Sequence, residues 1–204
     1  MNVIGNVVEV DLSREEVQTK SPDEGLIRNF LGGRGLNVHY LLKYLRKGID
    51  PLGPENVLIF SAGLLTGSDV YSSSRLHVGS LSPLTGFLGS SNVGGYLGAR
   101  LRQNEILALV VRGKSEKPVY LWVDRGTVEL RDAEDIWGLD TDETRRTIQD
   151  RTGERTSVGA IGPAGESGAT MACTMFDDGH AAGRTGMGAV MGSKMIKAVA
   201  AAEG

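Results

Sequence analysis

Apolar residues in this chain fall in short runs with two different spacings. Val7-Val8-Glu9-Val10-Asp11-Leu12 alternates, and Val17-Gln18-Thr19 follows a polar turn, so the N-terminal segment reads as a hairpin. Asp23 is placed to cap a short helix running through Ile27 and Phe30 to the glycines at 32 and 33. Residues 36–45 repeat apolar positions at helical spacing, with Leu41, Leu42 and Leu45 on one side and Pro51 and Pro54 as the stop. Residues 56–60 form a short buried strand, and further strands are predicted over 76–79, 106–112, 119–123 and 127–130. Asp140-Thr141-Asp142-Glu143 has the form of a capping box that opens a helix to about Arg151. Residues 157–161, 170–176 and 197–201 again read as strands.

The pattern repeats faintly. Ser61-Ala62-Gly63 precedes Thr66-Gly67, a strand, a glycine turn and Gly95-Tyr96-Leu97-Gly98-Ala99, which leads into a helix and a strand. Ala160-Ile161-Gly162 precedes Gly165, a strand and Gly186-Met187-Gly188-Ala189, which leads into another helix and strand. A spacing on the order of a hundred residues is too long for a solenoid. It predicts two related sheet-and-helix halves, with their glycine–helix turns in comparable positions. Accidental similarity of glycine-rich sequence is the alternative.

Composition adds constraints. A chain of 204 residues is long enough for one large domain or two small ones and buries a real core. Its 29 glycines are about twice the average usage of roughly 7% and cluster at the ends of apolar runs, which points to tight turns. A net charge of −3 argues against wholesale binding to nucleic acid or an anionic membrane. The single cysteine, Cys173, lies in an apolar run and reads as a buried, inert thiol; alone it makes no intrachain disulfide and holds no iron–sulfur cluster. No apolar stretch reaches membrane-spanning length and no signal peptide opens the chain, so a cytoplasmic location is expected.

Candidate chemistry sits in four glycine strings: Gly32-Gly33-Arg34-Gly35, Ser73-Ser74-Arg75, the run from Ser82 to Gly95, and Gly183-Arg184-Thr185-Gly186-Met187-Gly188. Glycine lets backbone N–H groups approach a ligand, and arginine offers a rigid fork of donors to oxyanions. Gly94-Gly95 and Gly183 to Gly188, each before a helix, fit an anion site; singly, each also fits a plain tight connection. Arg75, Arg184 and Asn92 nearby tip the reading toward a cradle for a large polyanionic cofactor. A Rossmann site is excluded because the chain lacks the acidic residue some 20 positions after Gly186-Met187-Gly188, and no Walker A string occurs. His39, His77 and His180 lack metal-ligand spacing, and no catalytic triad stands out. His39 reads as structural, Trp122 and Trp137 as core or boundary, and Asp177 and Asp178 as a solvated turn.

Taken in order, Phe30 to Leu36, Asp50-Pro51-Leu52, Glu55 to Ile59, Ser82 to Gly86, Ile161-Gly162-Pro163-Ala164-Gly165-Glu166 and Gly188 to Lys194 resemble the N-terminal domain of the tungsten-containing aldehyde ferredoxin oxidoreductase family. The resemblance covers nearly all of the chain and makes residues 1–204 one domain. It implies an α+β fold of two β-sheets with short helices in a pseudo-two-fold arrangement, forming the base for a tungsten or molybdenum bis-pterin cofactor. It implies aldehyde oxidation to carboxylate, with electrons leaving through a [4Fe–4S] cluster in later domains to ferredoxin. By motif position, Arg75, Asn92, Gly94, Gly95, His180, Ala181, Gly183, Arg184 and Gly186 would form the cofactor site, with Gly33 and Arg34 as weaker candidates. Asn92 and Ala181 would offer oxygens to a Mg²⁺ bridging the pterin phosphates. At His180 the family commonly has arginine, which makes phosphate contact there weaker and pH-dependent. The implied partners are the C-terminal domains or a partner subunit; self-association is left open. On this reading the chain alone is inactive toward aldehydes. Two alternatives stay open: a non-catalytic scaffold of the same fold, or a member acting on acyl-CoA or hydroxy-acid substrates.

Overall fold

The computed structural model describes residues 4–204. The first half contains β1 (Asn6–Asp11), β2 (Glu16–Lys20), α1 (Glu24–Phe30), α2 (Gly33–Tyr44), β3 (Leu58–Ala62), β4 (Leu76–Leu81), β5 (Leu88–Val93), α3 (Leu97–Gln103) and β6 (Ile106–Arg112). The second contains β7 (Val119–Asp124), β8 (Thr127–Asp132), a 3-10 turn (Glu134–Ile136), α4 (Thr141–Thr152), β9 (Ser157–Ala160), α5 (Pro163–Glu166), β10 (Thr174–Phe176), β11 (His180–Ala182), α6 (Met187–Ser193) and β12 (Ile196–Ala201).

Each half builds one six-stranded sheet, and the two sheets have the same topology. The orders are β2-β1-β6-β3-β4-β5 and β8-β7-β12-β9-β10-β11. In each, the central crossover pair is parallel (β1 with β6, β7 with β12) and the other neighbours are antiparallel. Even the irregularities match: the β1–β6 register slips between Ile106 and Ala108, and the β7–β12 register slips between Ile196 and Ala198. Two independent folds would have no reason to share a bulge at the same place. The duplication is real.

The sheets face one another across the main core. β6 shows how the apolar pattern fixes this: Ile106, Leu109 and Val111 enter the core between the sheets, while Leu107, Ala108 and Val110 pack outward. A strand covered on both faces reads as a continuous apolar run because successive side chains point to opposite sides. Outside the first sheet, α2 lays down Leu36, Tyr40 and Leu41; outside the second, α4 contributes Ile148 over Trp122 and Val158. The middle layer holds α3 and α6, each of which packs on its own half's sheet and on the other's. This reciprocal crossing locks the halves together.

Several predicted elements change in detail. α2 ends at Tyr44, well before the prolines, because Leu45 turns extended; Leu42 is solvent-exposed, and the buried stripe is Leu36, Asn37, Tyr40 and Leu41. β3 begins at Leu58 since Asn56 is a buried clip, its amide donating to Pro51 and Leu81 carbonyls and its Oδ1 accepting from Val57 and Leu81 N–H. The strand predicted over 170–176 contracts to Thr174–Phe176. β5, read from sequence as part of a glycine turn, and β11, given no element there, are edge strands. α4 follows its prediction, with a complete capping box from Asp140 and Glu143. Cys173 is half-buried rather than sealed in the core, with Sγ 3.6 Å from Met175 Sδ. His39 packs against Phe30 and Tyr40, as a structural role requires. No helix among the described residues is long and apolar enough to cross a membrane.

Candidate functional site

The two edge strands, β5 and β11, come together where the sheets meet. Hydrogen bonds staple this seam from both sides. Arg184 N–H donates to Ser91 Oγ at 3.3 Å, and Ser82 Oγ donates to the Thr185 carbonyl at 2.8 Å. Asp177 is no solvated turn: its Oδ2 accepts from Tyr96 N–H at 2.6 Å, and its Oδ1 accepts from Ser157 Oγ at 2.6 Å and Val158 N–H at 3.2 Å. It thereby binds the turn before α3 to the second sheet. Asp178 beside it is the exposed one, paired with Arg145.

Above the seam opens a cleft of about 570 Å³. Its floor is Ser90, Ser91 and Asn92 from β5, with Ala181 and Gly183 from the second half. Its rim carries three arginines: Arg34 from the first turn of α2, Arg75 at the entry to β4, and Arg184 ahead of α6. A smaller cavity of about 320 Å³ continues behind Arg34, Arg75 and Asn92 toward Gly33, Thr66 and His77. None of the three arginines forms an ion pair with a carboxylate among the described residues, whereas Arg100, Arg112, Arg145 and Arg151 do. No acidic residue lines the cleft. In a chain of net charge −3 this is a concentrated positive site. Low-dielectric walls focus such a field on an incoming anion.

The structure brings together Arg75, Asn92, Ala181, Gly183 and Arg184 of the predicted site with Arg34, one of the two weaker candidates; the other, Gly33, lines the adjoining cavity. Gly94 and Gly95 lie beside it with another duty. A Cβ on Gly94 would stand 3.2 Å from His180 Nδ1, and one on Gly95 (φ +85°) would stand 2.6 Å from Asp177 Oδ2. These glycines let the second half close over the first. His180 is exposed, its ring against this pair and next in sequence to Ala181. Gly186 lies away from the cleft: a Cβ there would collide with the Thr170 carbonyl and press on Pro83. At two of the helix starts a backbone donor is already used: Gly188 N–H donates to the Ala172 carbonyl and Tyr96 N–H to Asp177 Oδ2.

Ser90, Ser91 and His77 were not picked out from sequence. The serines belong to Gly89-Ser90-Ser91-Asn92, which lacks the β-branched and aromatic residues that signal a strand. His77 is 4% exposed; its Nε2 lies 2.6 Å from Ser90 Oγ and 3.4 Å from Arg34 Nε. Burial, with Arg34 adding to it, pushes the His77 pKa down to about 4, so the ring is neutral at pH 7.

The donor set fits phosphates and a hard cation. Three unpaired guanidiniums suit two phosphate groups. Asn92 and the Ala181 backbone lie in the same cleft, and no cluster of His, Cys, Asp and Glu among the described residues offers a rival metal site. Mg²⁺ commonly takes a few protein oxygens and completes its shell with phosphates and water.

Comparison with known proteins follows the same line. The family described as aldehyde ferredoxin oxidoreductase, N-terminal domain, matches residues 7–203. The tungsten-containing aldehyde ferredoxin oxidoreductase of Pyrococcus furiosus is 46% identical over 197 residues, covering 96% of this chain and 33% of that protein. The aliphatic sulfonate oxidoreductase, WOR-like subunit, of Pyrococcus furiosus is 36% identical over 213 residues, covering 97% of this chain and 34% of that protein. Among solved structures, the active site complex BamBC of benzoyl coenzyme A reductase with 1,5 dienoyl-CoA superposes with a TM-score of 0.95 at 35% identity, covering 98% of this chain and 31% of that one. The chain spans about a third of the length of these relatives.

Proposed function

This chain belongs to the aldehyde ferredoxin oxidoreductase family, and from that membership we propose that its cleft is the seat of a tungsten or molybdenum bis-pterin, held by the cofactor's phosphates. The observation that carries the reading is the set of three unpaired arginines around a cleft without a carboxylate. Arg75 and Arg184 approach from the two halves, so each phosphate meets a guanidinium. Asn92 and the Ala181 carbonyl would supply oxygens to a Mg²⁺ bound together with the phosphates. Ser91, whose Oγ accepts from Arg184 N–H, keeps its own O–H for the ligand, and Gly183 leaves open room beside Ala181.

When bound, such a cofactor supplies two-electron oxidation of an aldehyde to a carboxylate, with a [4Fe–4S] cluster passing electrons to ferredoxin. The chain's own residues bind and orient; among the described residues none is placed to move a proton or to hold the cluster, which is assigned to C-terminal domains or a partner subunit. The isolated chain is therefore inactive, and the complete enzyme is cytoplasmic on this reading. A second reading has a specific observation behind it: the benzoyl coenzyme A reductase complex shares the fold at 35% identity, so an acyl-CoA substrate is compatible with the same base. The cleft selects cofactor, not substrate.

The test is metal and pterin content of the chain purified without oxygen from a tungsten-supplemented host. Tungsten with about two pterins per chain supports a cradle complete in this domain. Arginine variants that leave metal and pterin content of a full-length enzyme unchanged would sink the assignment. Aldehyde-dependent viologen reduction by the pure chain would refute its predicted inactivity.

A further inference from the structure

The three cleft arginines differ in what stands behind them. Arg184 is steadied through its backbone, whose N–H donates to Ser91 Oγ. Arg34 is held through its side chain, and by an unusual partner: Nε donates to His77 Nε2 at 3.4 Å. A guanidinium has only donors, so Nε2 must be the bare nitrogen and the ring proton sits on Nδ1. The same bare Nε2 also accepts from Ser90 Oγ–H at 2.6 Å, so the two donors share one lone pair and Arg34, His77 and Ser90 form one cluster at the edge of the cleft.

His77 is also held through its backbone. It lies on β4, between β3 and the edge strand β5, facing Ser61 on β3 and Asn92 on β5. Its carbonyl accepts from Asn37 Nδ2 at 3.2 Å. Asn37 and Arg34 both come from α2, so one helix grips the histidine at two points.

We propose that His77 is a positioning residue for this cleft, holding Arg34 by Nε so that its terminal N–H groups face an anionic phosphate. The proposal rests on the cradle reading for the identity of the anion and on the geometry alone for the positioning. Its logic is one of charge. A carboxylate at this place would hold Arg34 more firmly, yet would cancel the charge that the cleft gathers. A neutral imidazole accepts the hydrogen bond and leaves the full positive charge for the ligand. Tying down Nε removes freedom from an otherwise exposed side chain before the ligand arrives, which is preorganisation.

The experiment measures the heteronuclear NOE of the Arg34 Nε–H in the ligand-free chain, with the exposed Arg46 as internal control, and then titrates inorganic phosphate. Arg34 should be ordered in the wild type and as mobile as Arg46 in His77→Leu. His77→Gln, which keeps an acceptor near the place of Nε2, should restore the order. Phosphate affinity should fall about fivefold in His77→Leu, recover in His77→Gln, and fall no further when His77→Leu is added to Arg34→Ala. A wild-type Arg34 as mobile as Arg46 overturns the inference without any variant needing to fold; so do losses that multiply in the double variant. An ordered Arg34 in a chain that takes up no phosphate would support the positioning and refute the phosphate cradle instead.

Discussion

Asp177 is the residue whose change should be felt furthest. Replacing it by Asn keeps the shape and suits the left-handed backbone there (φ 47°), which Asn tolerates well. It alters only charge and donor pattern. The carboxylate accepts from three groups, Tyr96 N–H, Ser157 Oγ and Val158 N–H. An amide has one acceptor atom. Whichever way it is turned, its NH₂ faces one of the two backbone N–H groups, and that donor loses its partner. A hydrogen bond to a charged group contributes about 1.5–3 kcal/mol. Tyr96 is exposed, so water can partly replace the lost partner and the lower part of that range applies. The expected cost is about 2 kcal/mol, or a fall of about 4–8 °C in Tm for a domain of this size. Asp178→Asn is the control: its carboxylate is 87% exposed, and breaking its pair with Arg145 should cost no more than about 0.5 kcal/mol. Urea denaturation of the three proteins decides the matter. If Asp177→Asn unfolds at the same urea concentration as Asp178→Asn, the seam does not depend on this carboxylate.

Three further outcomes are expected. Lys194 is fully buried, with Nζ donating to the Gly113 carbonyl at 2.8 Å, and burial pulls its pKa down to about 7, against the opposing pull of Asp11 and Glu55. Between about pH 7 and the unfolded value near 10.4 the unfolded chain binds the extra proton, so stability should rise with pH by up to about 1.4 kcal/mol per unit. Lys194→Met should lack that slope; parallel stability–pH curves for the two proteins would contradict it. Arg75→Ala and Arg184→Ala should each weaken inorganic phosphate binding roughly tenfold to a hundredfold, as expected for lost charge-assisted bonds, while calorimetric unfolding stays unchanged. Gly159→Ala drives its new Cβ into the Phe176 ring, which is wholly buried between the sheets, and should destabilise the chain by about 1–3 kcal/mol in thermal melts.

The parts of this protein readable from its sequence are those whose cause is local. α4 announces itself because Asp140 and Glu143 satisfy each other's backbone donors within four residues. β6 does so because seven consecutive residues end in a single polar one. The hairpins β1–β2 and β7–β8 show in their alternation and their short turns. The glycine strings, read in order, resembled one family and matched its fold, including the duplication. Arg75, Asn92, Ala181, Gly183 and Arg184 were named in advance and do line one cleft.

What stayed hidden depends on partners far away in the chain. Between Leu88 and Val93, β5 is Gly, Ser, Ser and Asn, and β11 is His, Ala and Ala, residues with little preference for strands. They are strands because β4 and β10 offer them open edges. Asp177 looks like a turn residue until Tyr96, 81 positions away, is brought to its Oδ2. Gly186 looks like part of an anion loop until the Thr170 carbonyl is found in the space its side chain would need. Sequence by itself determined most of the elements, the duplication and the residue types of a polyanion site, because hydrogen-bond spacing and apolar period act within a few residues. Only the tertiary structure decided which arginines converge and what holds them. Convergence requires two sheets to close on a shared core, and no stretch of a few residues encodes that closure.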